Sequence, residues 1–302
     1  MSLQSKSPHI YVYNSEFYTL DRGISFESQD TVRENAEIIL DNSKIRCKKI
    51  GKDVDFDKNT YIGDTRGIAI HNARNSTVTV RNKSEISGFG YTINATGMRD
   101  SKGIVDASGL TVNVKDSILR GWTGFNIWTS FAKYNIDNSY ILGINNSNGN
   151  SDSFSAITFN RDLYNMFDGL HSYSNELYIK DTTITNYQNE GLSTKEELLR
   201  LDNGLSKLTF AGNINFIDTT GKIKTALYLK GMDGNEEEKI NFLKNNVSYE
   251  DGAKVSMRLA RETTVEVIGK DGGNKFFVDI FDAVAGAKKD DTVKLLEDIV
   301  LK

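Results

Sequence analysis

One short pattern recurs seven times along the chain and constrains its fold more than any other feature. An alternating apolar stretch runs into a small polar corner and then into another apolar position. The copies are IYVYNSEF at 10–17, IILDNSKI at 38–45, VTVRNKSEI at 78–86, VNVKDSIL at 112–119, YNIDNSYI at 134–141, LYIKDTTI at 177–184 and a weaker LTFAGNINF at 208–216. The small residue after the corner (Ser15, Ser43, Ser84, Ser117, Ser139, Thr182, Asn213) recurs at uneven spacings of 28, 41, 33, 22, 43 and 31 residues. A corner sequence repeated at such intervals, with insertions between copies, predicts stacked units whose apolar positions share one core.

Within each copy the apolar residues fall at every second position, as in Val78 and Val80 or Tyr134 and Ile136, the period of a half-buried strand. The Asn or Asp at the corner is suited to turning the strand by bonding its own following backbone. The next apolar residue (Ile45, Ile86, Leu119, Ile141, Ile184) then re-enters the core. Gly88, Gly121 and Gly143, with Asn186 in a fourth copy, stand two residues further on, where a positive φ at a second corner is expected. The near absence of proline, with Pro8 alone and outside the repeats, suits uninterrupted backbone ladders.

These corner repeats resemble the right-handed parallel β-helix group, which includes pectin-lyase-like enzymes, phage tailspikes and bacterial surface adhesins. The resemblance is architectural, spans residues 10–230 and rests on no family-specific motif. It implies an all-β fold: a right-handed parallel β-helix solenoid with an irregular C-terminal region and a terminal helix. A β-sandwich is the alternative, but it has no need to repeat one corner. The domain reading is a leader segment at 1–9, the parallel β-helix at 10–230, additional rungs or an appended β region at 231–289, and a capping helix or the start of another domain at 290–302. In the third part GNEEEKINFL reads as a short helix with Ile240 and Leu243 on one side, and AKVSMRLA, TTVEVIG and KFFVDIF read as strands. At the end, DDTVKLLEDIVLK reads as a helix capped by Asp290 or Asp291, with Val293, Leu296 and Val300 as its apolar positions.

Composition narrows the function. With 37 basic and 41 acidic residues the net charge is −4, which leaves no general basic footprint for nucleic acid. No apolar run reaches the length of a membrane span, so no membrane insertion is expected. The single cysteine, Cys47, sits in a strand-like stretch and reads as a buried thiol. The opening carries no apolar signal segment, and a targeting segment is expected to lie outside this sequence.

No catalytic residue, cofactor or metal site is assigned: phosphate-loop, dinucleotide and HExxH patterns are missing. Asp152 with Asn148, and Asp233 with Glu236–Glu238, offer oxygen ligands without a calcium-loop pattern. FDGLHS at 167–172, with Asp168 and His171, reads as an ordinary loop ahead of a catalytic one. The more distinctive tract is GWTGFNIWTSFAKY at 121–134, which holds both tryptophans. Its outward subset, with the following loop, gives the binding candidates Trp122, Trp128, Tyr134, His171 and Tyr173. The expected function is a non-enzymatic extracellular or cell-surface binding module, adhesin-like, that presents loops and aromatic side chains to a glycan or to a host or bacterial surface protein. A polysaccharide lyase or glycoside hydrolase acting on an acidic polysaccharide is the alternative, and a phage fibre segment a further one.

Overall fold

The computed structural model describes residues 6–26, 32–49, 52–53, 65–99, 105–143, 155–159, 174–186, 197–201, 205–218, 223, 225–229, 236–258, 265–270, 274–277 and 280–295. The chain is all-β, with long parallel sheets and two helices among these residues. Among the described residues, seven passes of the chain lay strands into three parallel ladders and an eighth into the first two.

The first ladder is built by the strands His9–Tyr13, Glu37–Asp41, Thr77–Arg81, Thr111–Lys115, Lys133–Asp137, Asn175–Lys180, Leu205–Ala211 and Val247–Tyr249, in that order. Its register is the sequence repeat: Ile10, Ile38, Val78, Val112, Tyr134, Leu177, Leu208 and Val247 stand opposite one another in turn. The last of these belongs to an eighth copy, VSYEDGAKVSM at 247–257, which sequence reading missed because Glu250, Asp251 and Gly252 stand where other copies carry Asn-Ser or Asp-Ser. The second ladder stacks the apolar residue after each corner: Phe17, Ile45, Ile86, Leu119, Ile141, Ile184, Phe216 and Met257.

The third ladder was not legible as a repeat. It stacks Ile24, Ile68, Ile93, Phe125, Ile157, Leu199 and Leu227. Two long strands, Glu85–Thr96 and Ile118–Trp128, run from the second ladder into the third. Inward residues of all three ladders form one continuous core, most of them fully buried, and burial of this kind is the main term holding the stack together.

The corners show why Asn, Asp and Ser recur. Asn14, Asn42, Asp116, Asn138 and Asp181 all sit at φ between 43° and 49°, the left-handed region where Asn and Asp are favoured, and Gly212 takes the place at 60° in a later rung. Their side chains do not turn back on their own backbone, as expected from sequence, but reach the neighbouring rung. Asn42 Nδ2 donates to Asn14 Oδ1 at 2.7 Å, Asn138 Nδ2 to Asp116 Oδ1 at 2.7 Å, and Asp181 Oδ1 accepts the Asn213 N–H at 2.8 Å. The following hydroxyl is buried at Ser43, Ser84, Ser117, Ser139 and Thr182, and at Ser43 it is doubly used. Ser43 Oγ accepts the Ser15 N–H at 3.0 Å and donates to Asp41 O at 2.8 Å; Ser139 and Thr182 repeat both contacts further along. A buried small hydroxyl satisfies a backbone N–H that the bend would otherwise strand.

The glycine expectation holds only at Gly88, with φ 83°. Gly121 and Gly143 have no positive φ. They are glycine because another element comes too close: a Cβ on Gly143 would lie 2.6 Å from Ala156 Cα.

Beyond residue 230, helix α1 (Glu236–Asn246) forms as expected, but Ile240 and Leu243 are exposed and Phe242 is the residue that packs on the core. The strand Lys254–Arg258 continues the second ladder. Val265–Ile268 begins a separate unit, pairing antiparallel with Asn274–Phe277 and with Thr292–Leu295. KFFVDIF is therefore not one strand: after Phe277 the chain turns into helix α2 (Ile280–Gly286).

The terminal helix is corrected in the same place. Thr292–Leu295 is a strand, with Val293 opposite Val267 and packed in this unit's own small core beside Val265 and Ala283. Asp290 sits at φ 72°, and Asp291 accepts the N–H groups of Lys288 at 2.8 Å and Lys270 at 3.2 Å, pinning a turn instead of capping a helix. Alternation of Val293 and Leu295 with Thr292 and Lys294 outweighed the helical spacing. Leu296 and Val300 lie outside the described residues.

Candidate functional site

The aromatic tract divides between packing and surface, and its members do not converge. Tyr134 is an inward residue of the first ladder, fully buried, edge-on to Phe125 and Phe159 with centroids at 6.3 and 5.2 Å. Its hydroxyl lies 2.7 Å from Thr129 Oγ1, which in turn donates to Asn175 Oδ1 at 2.9 Å. Trp122 is 6% exposed and stacks on Tyr91 at 6.3 Å. Neither ring is available to an external partner, so Tyr134 and Trp122 are corrected to packing residues. The two-residue period that places Val112 inside places Tyr134 there too.

Trp128 is half-buried and donates Nε1–H to Asn126 Oδ1 at 3.0 Å. Asn126 donates onward to Asn94 Oδ1 at 2.8 Å, so the indole ends an amide chain that crosses rungs. Phe131 is the exposed ring of the tract, at φ 64°, in a corner where other rungs carry Asn35, Asn75, Gly109 and Ser174. His171, Tyr173 and Asp168 lie outside the described residues.

A buried polar set occupies the third ladder. Glu197 Oε1 accepts from Arg200 at 3.0 Å and from Ser155 Oγ at 3.1 Å, and the guanidinium lies 4.7 Å from the centre of the Tyr228 ring. Each polar group there answers another, which suits a carboxylate and a cation held as a structural pair.

A concavity lies elsewhere, over the corners between the first and second ladders. It has a volume of about 780 Å³, within the range of ligand sites. One side is the corner stripe of five consecutive rungs, at Asp41–Asn42, Asn82–Lys83, Asp116–Ile118, Asn138–Tyr140 and Asp181 with Thr183. The other comes from the C-terminal antiparallel unit: Val267, Gly269, Lys275, Lys288 and Asp291. The corner side is stiff, because its polar groups are tied into cross-rung bonds. Asp41 takes Asn82 Nδ2 at 2.8 Å and Arg81 Nε at 2.7 Å, and these bonds hold its carboxyl below the usual carboxylate range. The backbone bonds to Asp291 lower its pKa in the same way.

Tyr140 is the unusual member. It points outward from the second ladder yet is only 7% exposed, and among the described residues its hydroxyl has no hydrogen-bond partner. Burial pushes its pKa up, with Arg120 opposing and the Glu266 carboxylate of the C-terminal unit reinforcing. A buried hydroxyl left unbonded costs roughly 1–3 kcal/mol.

Sequence reasoning missed this groove, although a signal was present. The outward positions of the second ladder begin polar, with Glu16, Lys44 and Glu85, and become Ile118 and then Tyr140 in the following rungs; the adjacent outward row carries Leu142 and Ile217. Tyr140, Leu142 and Ile217 are buried. Apolar residues on the nominally wet face of an alternating strand report that something covers it. The groove offers hydrogen-bond donors and acceptors in a rigid row, and among the described residues no group of three or more His, Cys, Asp or Glu side chains is placed to hold a metal ion. No family model, curated protein or solved structure matches the chain.

Proposed function

We propose that the chain is a right-handed parallel β-helix that serves as a non-enzymatic extracellular or cell-surface binding module, and that it takes a glycan in the groove over the corner stripe. The observation that carries this reading is the groove itself: side-chain amides, carboxylates and ammonium groups on a preorganised floor. Sugars present closely spaced hydroxyls that donate and accept at once, and a rigid row of Asn and Asp side chains meets them without the entropy cost of ordering loops. A stacked-rung shaft suits a surface protein because it holds such a row straight over a long distance. The half-buried Trp128 and the exposed Phe131 are the rings of the tract left to a protein partner, which is the second reading.

The test is a glycan array and a surface-protein pull-down run with wild type, Asn138→Ala and Trp128→Ala. Glycan binding lost in Asn138→Ala and kept in Trp128→Ala supports the groove. Protein capture lost only in Trp128→Ala supports the second reading and counts against the first. Depolymerisation of any bound polysaccharide would replace the binding module with an enzyme.

A further inference from the structure

We propose that the outer face of the first rung carries a metal site, in which His9, Tyr11 and Glu37 hold one zinc ion and leave its fourth position to water. The site lies apart from the groove, and it stands whether or not the groove takes a glycan.

The first ladder brings the three side chains together. His9 and Tyr11 are two residues apart on the strand His9–Tyr13, so they share its outward face, and the register sets Glu37 of the next strand directly opposite His9. Their polar atoms converge. His9 Nδ1 lies 3.2 Å from the Tyr11 hydroxyl oxygen and 3.5 Å from Glu37 Oε2, and the Tyr11 hydroxyl donates to that same Glu37 oxygen at 2.5 Å. These separations bracket the roughly 3.3 Å between neighbouring corners of a tetrahedron around zinc, and a point about 2 Å from all three atoms lies roughly 1 Å off their plane. The ion can reach that point from solvent without moving the fold: the His9 and Glu37 side chains are 50% and 36% exposed, and Tyr11 is 50% exposed.

The donor set selects the ion. One imidazole nitrogen with two oxygens suits zinc, whereas magnesium and calcium call for shells of six or more oxygens. Because one donor is a tyrosine, the site is compatible with the absence, among the described residues, of a cluster of three His, Cys, Asp or Glu side chains. Later rungs do not repeat it. The row that begins with His9 and Glu37 continues as Thr77, Thr111 and Lys133, and the row that begins with Tyr11 continues as Ile39, Thr79 and Asn113, so one ion per chain is expected.

Charge and protons balance on loading. The hydrogen bond to Glu37 holds the Tyr11 pKa above its usual value, so the phenol keeps its proton in the metal-free protein. When zinc binds, the Tyr11 O–H bond breaks with its electron pair left on oxygen, the proton passes to solvent, and the oxygen bonds the metal in its place. The two positive charges of zinc then offset the phenolate and the carboxylate.

The experiment is calorimetric titration of the full chain with zinc sulfate, and with magnesium chloride for comparison, at neutral pH in buffers of different ionisation enthalpy, with ultraviolet difference spectra taken alongside. One zinc ion should bind per chain, release one proton from Tyr11 and bring up a tyrosinate band that Tyr11→Phe lacks. Zinc should also raise the melting temperature, because the three donors meet only in the folded chain. His9→Ala, Tyr11→Phe and Glu37→Gln should each weaken zinc binding by about tenfold or more, while the metal-free variants melt as wild type does because all three side chains are exposed. The proposal is overturned if zinc binds no more tightly than magnesium, if no tyrosinate band accompanies binding, or if Tyr11→Phe or Glu37→Gln binds zinc as wild type does.

Discussion

Replacing Ser84 by Ala isolates the hydroxyl ladder that joins the rungs. Ser84 is fully buried; its Oγ accepts the Ser43 N–H at 3.1 Å, and its single O–H donates to Arg81 O at 2.6 Å, with Leu40 O 3.1 Å away as the alternative acceptor. Alanine removes the acceptor and leaves the Ser43 amide inside the corner, where Ser43 is itself 1% exposed. An orphaned buried donor costs about 1–3 kcal/mol, and the missing oxygen leaves little cavity to add to that. Ser15→Ala is the matched control. Ser15 is exposed, and among the described residues its hydroxyl bonds Tyr13 O alone, so its loss should stay within about 0.5 kcal/mol. Ser84→Thr should recover most of the loss, because Thr182 accepts the Ser139 N–H at 3.3 Å in the equivalent position of another rung. Urea unfolding with an unchanged slope, together with deuterium exchange at the Ser43 amide, reads both the energy and its location. The reasoning is refuted if Ser84→Ala unfolds within about 0.5 kcal/mol of wild type, or if Ser15→Ala is equally costly.

Phe131→Asn should stabilise the protein by about 1 kcal/mol in thermal melts, because it relieves a left-handed backbone at φ 64° under a side chain that is 43% exposed; a loss of stability would show that the ring packs more than its exposure suggests. Gly143→Ala should cost about 1–3 kcal/mol in the same assay, since its Cβ would press on Ala156 backbone, and a neutral result would mean that the two elements can separate. Burial pushes the Cys47 thiol from 9.0 up to about 11. Its contribution to stability is therefore complete below pH 9 and lost as pH rises through about 11, and the native thiol should resist alkylation at pH 8 until the protein is unfolded. Fast alkylation of the native state would contradict that burial. Replacing both Val112 and Val114 with Asp puts two carboxylates into the core at positions 0% and 1% exposed, and loss of the native circular dichroism spectrum is expected.

Local chemistry made the first two ladders legible. A strand that alternates in period two and bends at Asn-Ser or Asp-Ser declares its inward residues without reference to any other part of the chain, which is why Ile38, Val78 and Val112 could be aligned before their partners were known. The eighth copy escaped because Asp251 and Gly252 turn the chain with different residues. The third ladder escaped for another reason: segments such as Arg66–His71 and Glu197–Leu201 are buried on both faces, so no alternation marks their inward side.

What the sequence determined by itself, then, was the repeated half-buried strand, its corner and its inward register, because these follow from side-chain period and from the few residues that tolerate a left-handed backbone. Tertiary structure decided what lies opposite the corners. Residues far apart in the chain, Tyr140 on one rung and Glu266 in the C-terminal unit, came close enough for one to feel the other's charge, and the tail became a strand by pairing with Val265–Ile268. The aromatic tract shows the same division of labour: the two-residue period already places Tyr134 inside with Val112, but only packing against Tyr91 settled that Trp122 is buried. A covering element has no local signature beyond the apolar residues it hides, because burial on an outer face is a property of two surfaces that the chain brings together only when it folds.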